Sequence, residues 1–156
     1  MVSKRTTSGQ NCIETIRDSK VRVADLGTAR SAILLNFERV QIRRIRMDGC
    51  LAPTGSVTAD WIISKPQAAD VVVELKGKNV GHAVDQIEAT LTFWSTHDEH
   101  ANGQVIGAWI VCSEYPRAST KVARYRERLR ARGTILLFST RNGEEKPFSA
   151  FTPRNS

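Results

Sequence analysis

Apolar and polar residues alternate most regularly from Ala69 to Gly77. Val71, Val73 and Leu75 fall on one side of an extended chain there, and Val72, Glu74 and Lys76 on the other. Valines on both sides up to Val73 predict a central strand covered on both faces. The preceding stretch, Ser56–Ser64, predicts another strand, with Val57, Trp61 and Ile63 on one face and Asp60 and Ile62 on the other. Lys65-Pro66-Gln67 separates the two. Beyond a loop at Gly77–Gly81, Val84, Ile87, Leu91 and Trp94 recur at helical spacing and predict a helix ending near Ser95. Gln104–Cys112 reads as a buried strand and Thr134–Ser139 as a final one. Between them Ser119 is placed to cap a helix running to about Arg132, with Val122, Tyr125 and Leu129 inward and Gly133 as its stop.

The first third of the chain is less regular. Asn11–Ile16, with Cys12, Ile13 and Ile16 apolar, is expected to form a short helix. Lys20–Asp25 and Ser31–Phe37 read as strands, with a turn at Leu26-Gly27. In Arg39–Met47 the apolar parity switches: Val40 and Ile42 lie on one side, Ile45 and Met47 on the other. A period of two does not survive that switch, so a bulge or lost pairing is expected near Arg43-Arg44. Asp48-Gly49 and Pro53-Thr54-Gly55 read as turns. The predicted class is α/β, a mixed central sheet flanked by helices. A single domain is expected over residues 11–140, with 1–10 a flexible basic tail and 141–156 a loosely structured one.

Composition sharpens this picture. In 156 residues, 40% are hydrophobic and 25% charged, a globular balance with enough chain for a real core. The net charge of +7 and a pI near 9.8 favour a polyanionic partner, nucleic acid before an anionic membrane. Three scattered cysteines, Cys12, Cys50 and Cys112, argue against a disulfide framework and against a structural zinc site. MVSKRTTSGQ has no apolar core of a secretory signal, and no apolar run approaches a membrane span, so a cytoplasmic protein is expected.

The chemistry concentrates in TADWIISKPQAADVVVELKGKNVGHAVDQ. Glu74 and Lys76 share one face of a strand, and burying both is costly unless each has a partner. A mutual salt bridge is the plain answer. Asp60 adds a second: on the neighbouring strand, it comes within a metal's reach of Glu74 if the two strands pair. Asp70 shares the parity of Glu74 but lies four residues, about 13 Å, along the same strand, too far for one ion. Two convergent carboxylates and a lysine suit Mg²⁺ and a phosphate. The metal takes one or two carboxylates and acidifies bound water, and the lysine offsets transition-state charge.

Asp60, a gap of thirteen residues, then Glu74-Leu75-Lys76 resembles the bipartite motif of the PD-(D/E)XK nuclease superfamily. The wider run RMDGCL…TADWII…DVVVELKG…AVDQIEAT looks like its small single-domain bacterial members, over residues 40 to 95. The resemblance implies a restriction-endonuclease-like αβββαβ core, with Asp60 and Glu74 as metal ligands, Lys76 as catalytic lysine and Gln86 as a helix residue at the site. It implies Mg²⁺, with Mn²⁺ as substitute. Some members add an acid from an N-terminal helix, for which Glu14 is a candidate and Asp48 the other spare acid. The proline that often precedes the first acid is Ala59 here.

Arg117, Lys121, Arg124, Arg126, Arg128, Arg130 and Arg132 crowd the last helix, opposed there only by Glu127. Like charges one turn apart repel unless an anion relieves them, so these residues are candidates for holding nucleic-acid phosphates. Arg39, Arg43, Arg44 and Arg46 form a second basic run. His82, His97 and His100 lack a fourth ligand at zinc spacing, and the loop around Asp98 and Glu99 reads as solvated. Serine-hydrolase, nucleotide-triphosphatase and dinucleotide motifs are absent. The expectation is a Mg²⁺-dependent endonuclease, on DNA rather than RNA. Its size and pattern are also similar to Holliday-junction resolvases, which act as homodimers. The rival is a nuclease fold kept as a silent binding or interaction module.

Overall fold

A computed structural model of the chain describes residues 11–25, 27–76, 78–114 and 120–153. The elements follow in the order β1 (Ile13–Ile16), β2 (Lys20–Ala24), β3 (Ser31–Leu35), β4 (Ile42–Arg46), β5 (Trp61–Lys65), β6 (Ala69–Leu75), α1 (Val80–Ser95), β7 (Ile106–Val111), α2 (Thr120–Arg130), β8 (Leu136–Ser139) and β9 (Glu144–Pro147). The main sheet has six strands in the spatial order β1-β4-β5-β6-β7-β8, and β2-β3-β9 form a second, smaller sheet. From β1 to β6 neighbours are antiparallel; β6, β7 and β8 are parallel, joined by α1 and α2. The class is mixed α/β with a mixed sheet. Among the described residues no helix is long and apolar enough to cross a membrane.

The main sheet is covered on both faces. Ile45, Ile62, Val72 and Ile110 point to one face and pack with Val84, Ile87 and Leu91 of α1 and Val122 and Leu129 of α2. Ile42, Ile63, Val71, Val73 and Trp109 point to the other, against Val21, Val23, Leu34, Phe148 and Phe151. This double cover explains the parity switch in β4. Ile42 and Ile45 are both fully buried, one in each core. The strand pairs without interruption on both sides, Ile13↔Ile45 to Ile16↔Ile42 and Arg43↔Ser64 to Arg46↔Trp61. The expected bulge at Arg43-Arg44 is not there, because a strand with two apolar faces has no need of strict alternation.

Three further expectations are corrected. Residues 13–16 are strand rather than helix: Cys12, Ile13 and Ile16 fit a helical stripe equally well, and the pairing of β1 with β4 decides. Cys12 and Cys50 form a disulfide, which pairing of β1 with β4 makes reachable across 38 residues. Residues 142–153 are not loose. β9 pairs in parallel with β3, and a 3₁₀ turn at Phe148–Phe151 buries both phenylalanines. Phe151 lies against Trp109 and fills the place a side chain on Gly107 would occupy, 2.5 Å from an added Cβ. Residues 1–10, Leu26, Gly77, Ser119 and Arg117, on which other expectations fell, lie outside the described residues.

Candidate active site

The β5–β6 hairpin places the two acids. Trp61 pairs with Val73, so Asp60, one residue ahead of β5, comes level with Glu74. The Asp60 carbonyl accepts from Met47 N (2.9 Å), and its Oδ2 accepts from Leu75 N (2.9 Å). The hairpin sends Asp70 to the opposite end of the strand pair, facing Ser64.

Asp60 and Glu74 are hydrogen-bonded through their side chains, which requires a proton on one of them. Glu74 is 2% exposed. Burial, then the negative charge of Asp60 and the hydrogen bond to it, push the Glu74 carboxyl up to about 9, with Lys76 opposing. Burial also raises Asp60, helped by the charges of Asp25 and Asp48, while its hydrogen bonds to Glu74 and Leu75 N oppose. Without a cation the pair therefore keeps one proton at neutral pH. Glu74 Oε1 is buried and has no hydrogen-bond partner.

Lys76 follows β6 directly, half-buried, its backbone N–H donating to Val111 O (2.8 Å). Gln86 lies on α1 and acts one step back from the acids. Its Nε2 donates to Thr58 O (3.1 Å), while its Oε1 is buried without a partner. One turn on, Thr90 Oγ1 accepts from Ala59 N (2.7 Å) and donates to Gln86 O (2.8 Å). Gln86 and Thr90 thus hold the two residues that lead into Asp60. Thr90 went unnoticed in the sequence, although it sits four residues from Gln86 on the buried side of the helix.

Of the two spare acids, Glu14 is on the wrong face. Ile13 points to the helix side of the sheet, so Glu14 points to the other, where it pairs with Arg44 (2.8 Å). Asp48 is near the site. It and Gly49 form the central pair of a type II turn within Met47–Leu51, Gly49 supplying the positive φ of 69°. Asp48 lines a small cavity of about 70 Å³ beside Asp60, together with Ala24, Asp25, Arg46 and Trp61. Asp25 was missed, because it looks like, and is, a turn residue: its carboxylate accepts from Gly27 N and Thr28 Oγ1. Among the described residues, no three His, Cys, Asp or Glu side chains are grouped to hold a metal ion.

The basic helix is partly committed elsewhere. Arg128 pairs with Glu88 and Asp85 of α1, and Arg132 donates to Glu88 O (3.3 Å) and Thr92 Oγ1 (2.8 Å). The view that only Glu127 opposes these arginines is corrected, since the counter-charges come from the neighbouring helix. Arg130 pairs with Glu127 (3.1 Å), and Arg126 lies over the Phe138 ring. Lys121 and Arg124 are exposed on the same helix.

The histidine loop is only partly solvated: Asp98 and residues 101–103 are exposed, but His97, Glu99 and His100 are half-buried. Its His100 Nδ1 lies 2.8 Å from Oδ2 of the fully buried Asp70, which also accepts from Trp94 Nε1 (2.7 Å) and Gln104 Nε2 (2.6 Å). His97 stacks on Trp94. Asp70 is satisfied in this network at the far end of β6, so the length of the strand sets it apart from Glu74. Comparison of the chain with protein-family models, with curated proteins and with solved structures returns no match in any of the three.

Proposed function

We propose that the chain is a divalent-cation-dependent endonuclease of the PD-(D/E)XK kind, with DNA as the expected substrate. The observation that carries this reading is the Asp60–Glu74 pair, two carboxylates held together at a strand end with Lys76 beside them. Two acids forced to share a proton, one with a buried oxygen lacking any partner, suit a cation that displaces the proton and takes up that oxygen. Hard carboxylate oxygens favour Mg²⁺, with Mn²⁺ as substitute. Asp60 and Glu74 would hold it. When bound, it supplies Lewis acidity toward a phosphoryl oxygen and acidifies a bound water.

The chain's own residues have distinct parts in this reading. Lys76 holds the scissile phosphate and offsets the charge that grows on it. Leu75 N–H orients the Asp60 carboxylate, and Gln86 and Thr90 fix the backbone that delivers Asp60. Arg124 and Arg126 are the residues of α2 best placed to hold phosphates, because Arg128, Arg130 and Arg132 already have acceptors. The element order β4-β5-β6-α1-β7, an antiparallel meander, a helix and a parallel strand, supports a restriction-endonuclease-like core in which β1 stands where an N-terminal helix is expected.

A silent binding module is the second reading, favoured by the lack of a third acid grouped with the pair among the described residues. Incubation with Mg²⁺ or Mn²⁺ and supercoiled, branched and single-stranded DNA, and RNA, separates the two. Cleavage that Glu74→Ala abolishes supports the enzyme. Binding without cleavage by the wild type supports the module.

A further inference from the structure

The Cys12–Cys50 disulfide is connected to the acid pair through two successive backbone hydrogen bonds. Cys12 O accepts from Arg46 N (2.9 Å), and the next amide, Met47 N, donates to Asp60 O (2.9 Å). Cys50 closes the turn that carries Asp48, whose charge reaches Asp60. In that turn Asp48 and Gly49 are exposed and leave helical torsions, and Ala52 N returns to Met47 O (3.1 Å). The covalent tie to β1 thus restrains the segment between β4 and Asp60, together with the burial of Met47, Cys50 and Ala52 in the core. Both cysteines are buried, at 3% and 7% exposure, with Cys50 next to the exposed Asp48-Gly49 pair of its turn. The third, Cys112, is buried in the sheet with Sγ toward Ser139 O (3.8 Å), and burial pushes its thiol up, so it is no partner for exchange.

We propose that Cys12–Cys50 is a redox-operated latch on the Asp60–Glu74 site: its reduction releases the Met47–Leu51 turn from β1 and lowers the affinity of the two acids for a divalent cation. The reductant is a dithiol. Its thiolate attacks Cys50 Sγ, on the less buried of the two residues, and the S–S bond breaks to leave Cys12 as a thiolate that takes a proton. The second thiol then attacks the mixed disulfide, frees Cys50 and closes the reductant's own disulfide. Two electrons pass to the protein, and two thiols result. The released turn no longer holds Met47 N–H on the Asp60 carbonyl, and the Asp60 carboxylate loses its fixed place beside Glu74.

The cation half of this inference rests on the function proposed above; the release of the turn does not. Full-length protein is compared oxidised, reduced with dithiothreitol that is then removed without air, and reoxidised. Amide hydrogen exchange reads the turn, and Mn²⁺ titration reads the site. Reduction is expected to speed exchange at Met47 and Ala52 tenfold or more, leave Val72 and Ile110 protected, and weaken Mn²⁺ binding at least tenfold, all reversed on reoxidation. Cys12→Ser/Cys50→Ser should match the reduced protein with or without reductant, and Cys112→Ser the wild type. Unchanged exchange at Met47 overturns the latch, and so does loss of protection at Val72 and Ile110 alongside it, which marks a purely structural bond. Faster Met47 exchange with no Mn²⁺ binding in either state upholds release of the turn and counts against the metal reading instead.

Discussion

Replacing Glu74 by glutamine should make the cation-free protein more stable while destroying the site. Between the ordinary carboxyl value of 4.5 and about 9, folded Glu74 keeps a proton that the unfolded chain has lost. The native state then binds more protons than the unfolded state, so stability falls as pH rises through that window and levels off above it. At pH 7 the unfolded chain is about 2.5 units past its own titration, and at about 1.4 kcal/mol per unit the cost of keeping Glu74 protonated is roughly 3 kcal/mol. The amide of Glu74→Gln has no proton to acquire and no charge to repel Asp60. Urea unfolding in EDTA across about pH 5 to 9 should show the wild type losing stability with pH and the variant nearly flat. The gap should be below about 1 kcal/mol at pH 5 and roughly 3 kcal/mol at pH 7. Added Mg²⁺ should stabilise the wild type and leave the variant unchanged. Parallel pH curves, or a variant less stable at pH 7, would refute the claim that these two acids are forced together.

Thr90→Val keeps the shape of the side chain but leaves the buried Ala59 N–H without its acceptor; thermal unfolding should register a loss of about 1–3 kcal/mol. Phe151→Ala should cost about 3–5 kcal/mol in chemical denaturation, because the ring fills the second core against Trp109 and Gly107; a negligible cost would mean that the C-terminal segment does not belong to that core. On α2 the arginines should divide by role. Arg124→Ala with Arg126→Ala should reduce the salt slope of DNA binding by about one phosphate contact each. Arg128→Ala with Arg132→Ala should instead lower stability with the slope unchanged, because those side chains hold α1.

What could be read in advance was local. The two valine-rich faces of β6 and the stripe of α1 follow from period alone, and parity with strand rise was enough to prefer Asp60 over Asp70. What escaped depends on which distant segments meet. Cys12, Ile13 and Ile16 suit a helix as well as a strand until β4 is known to lie alongside. The same pairing brings Cys12 to Cys50 and turns Glu14 to the wrong face. Phe148 and Phe151 sit in a polar, proline-flanked segment, and only the parallel pairing of β9 with β3 carries them into the core. Asp25, Arg128 and His100 each look like a turn, a surface charge and a loop residue, and their partners lie on other elements.

The most direct measurement of the central claim is strand cleavage by the purified full-length protein with Mg²⁺, comparing the wild type with Glu74→Ala and Lys76→Ala. The account predicts that the wild type cuts DNA and stops in EDTA. Glu74→Ala should lose both cleavage and cation binding, and Lys76→Ala should bind the cation but cut about 10²–10³-fold more slowly. A wild type that leaves every DNA and RNA substrate intact, or cleavage that survives Glu74→Ala, would contradict it.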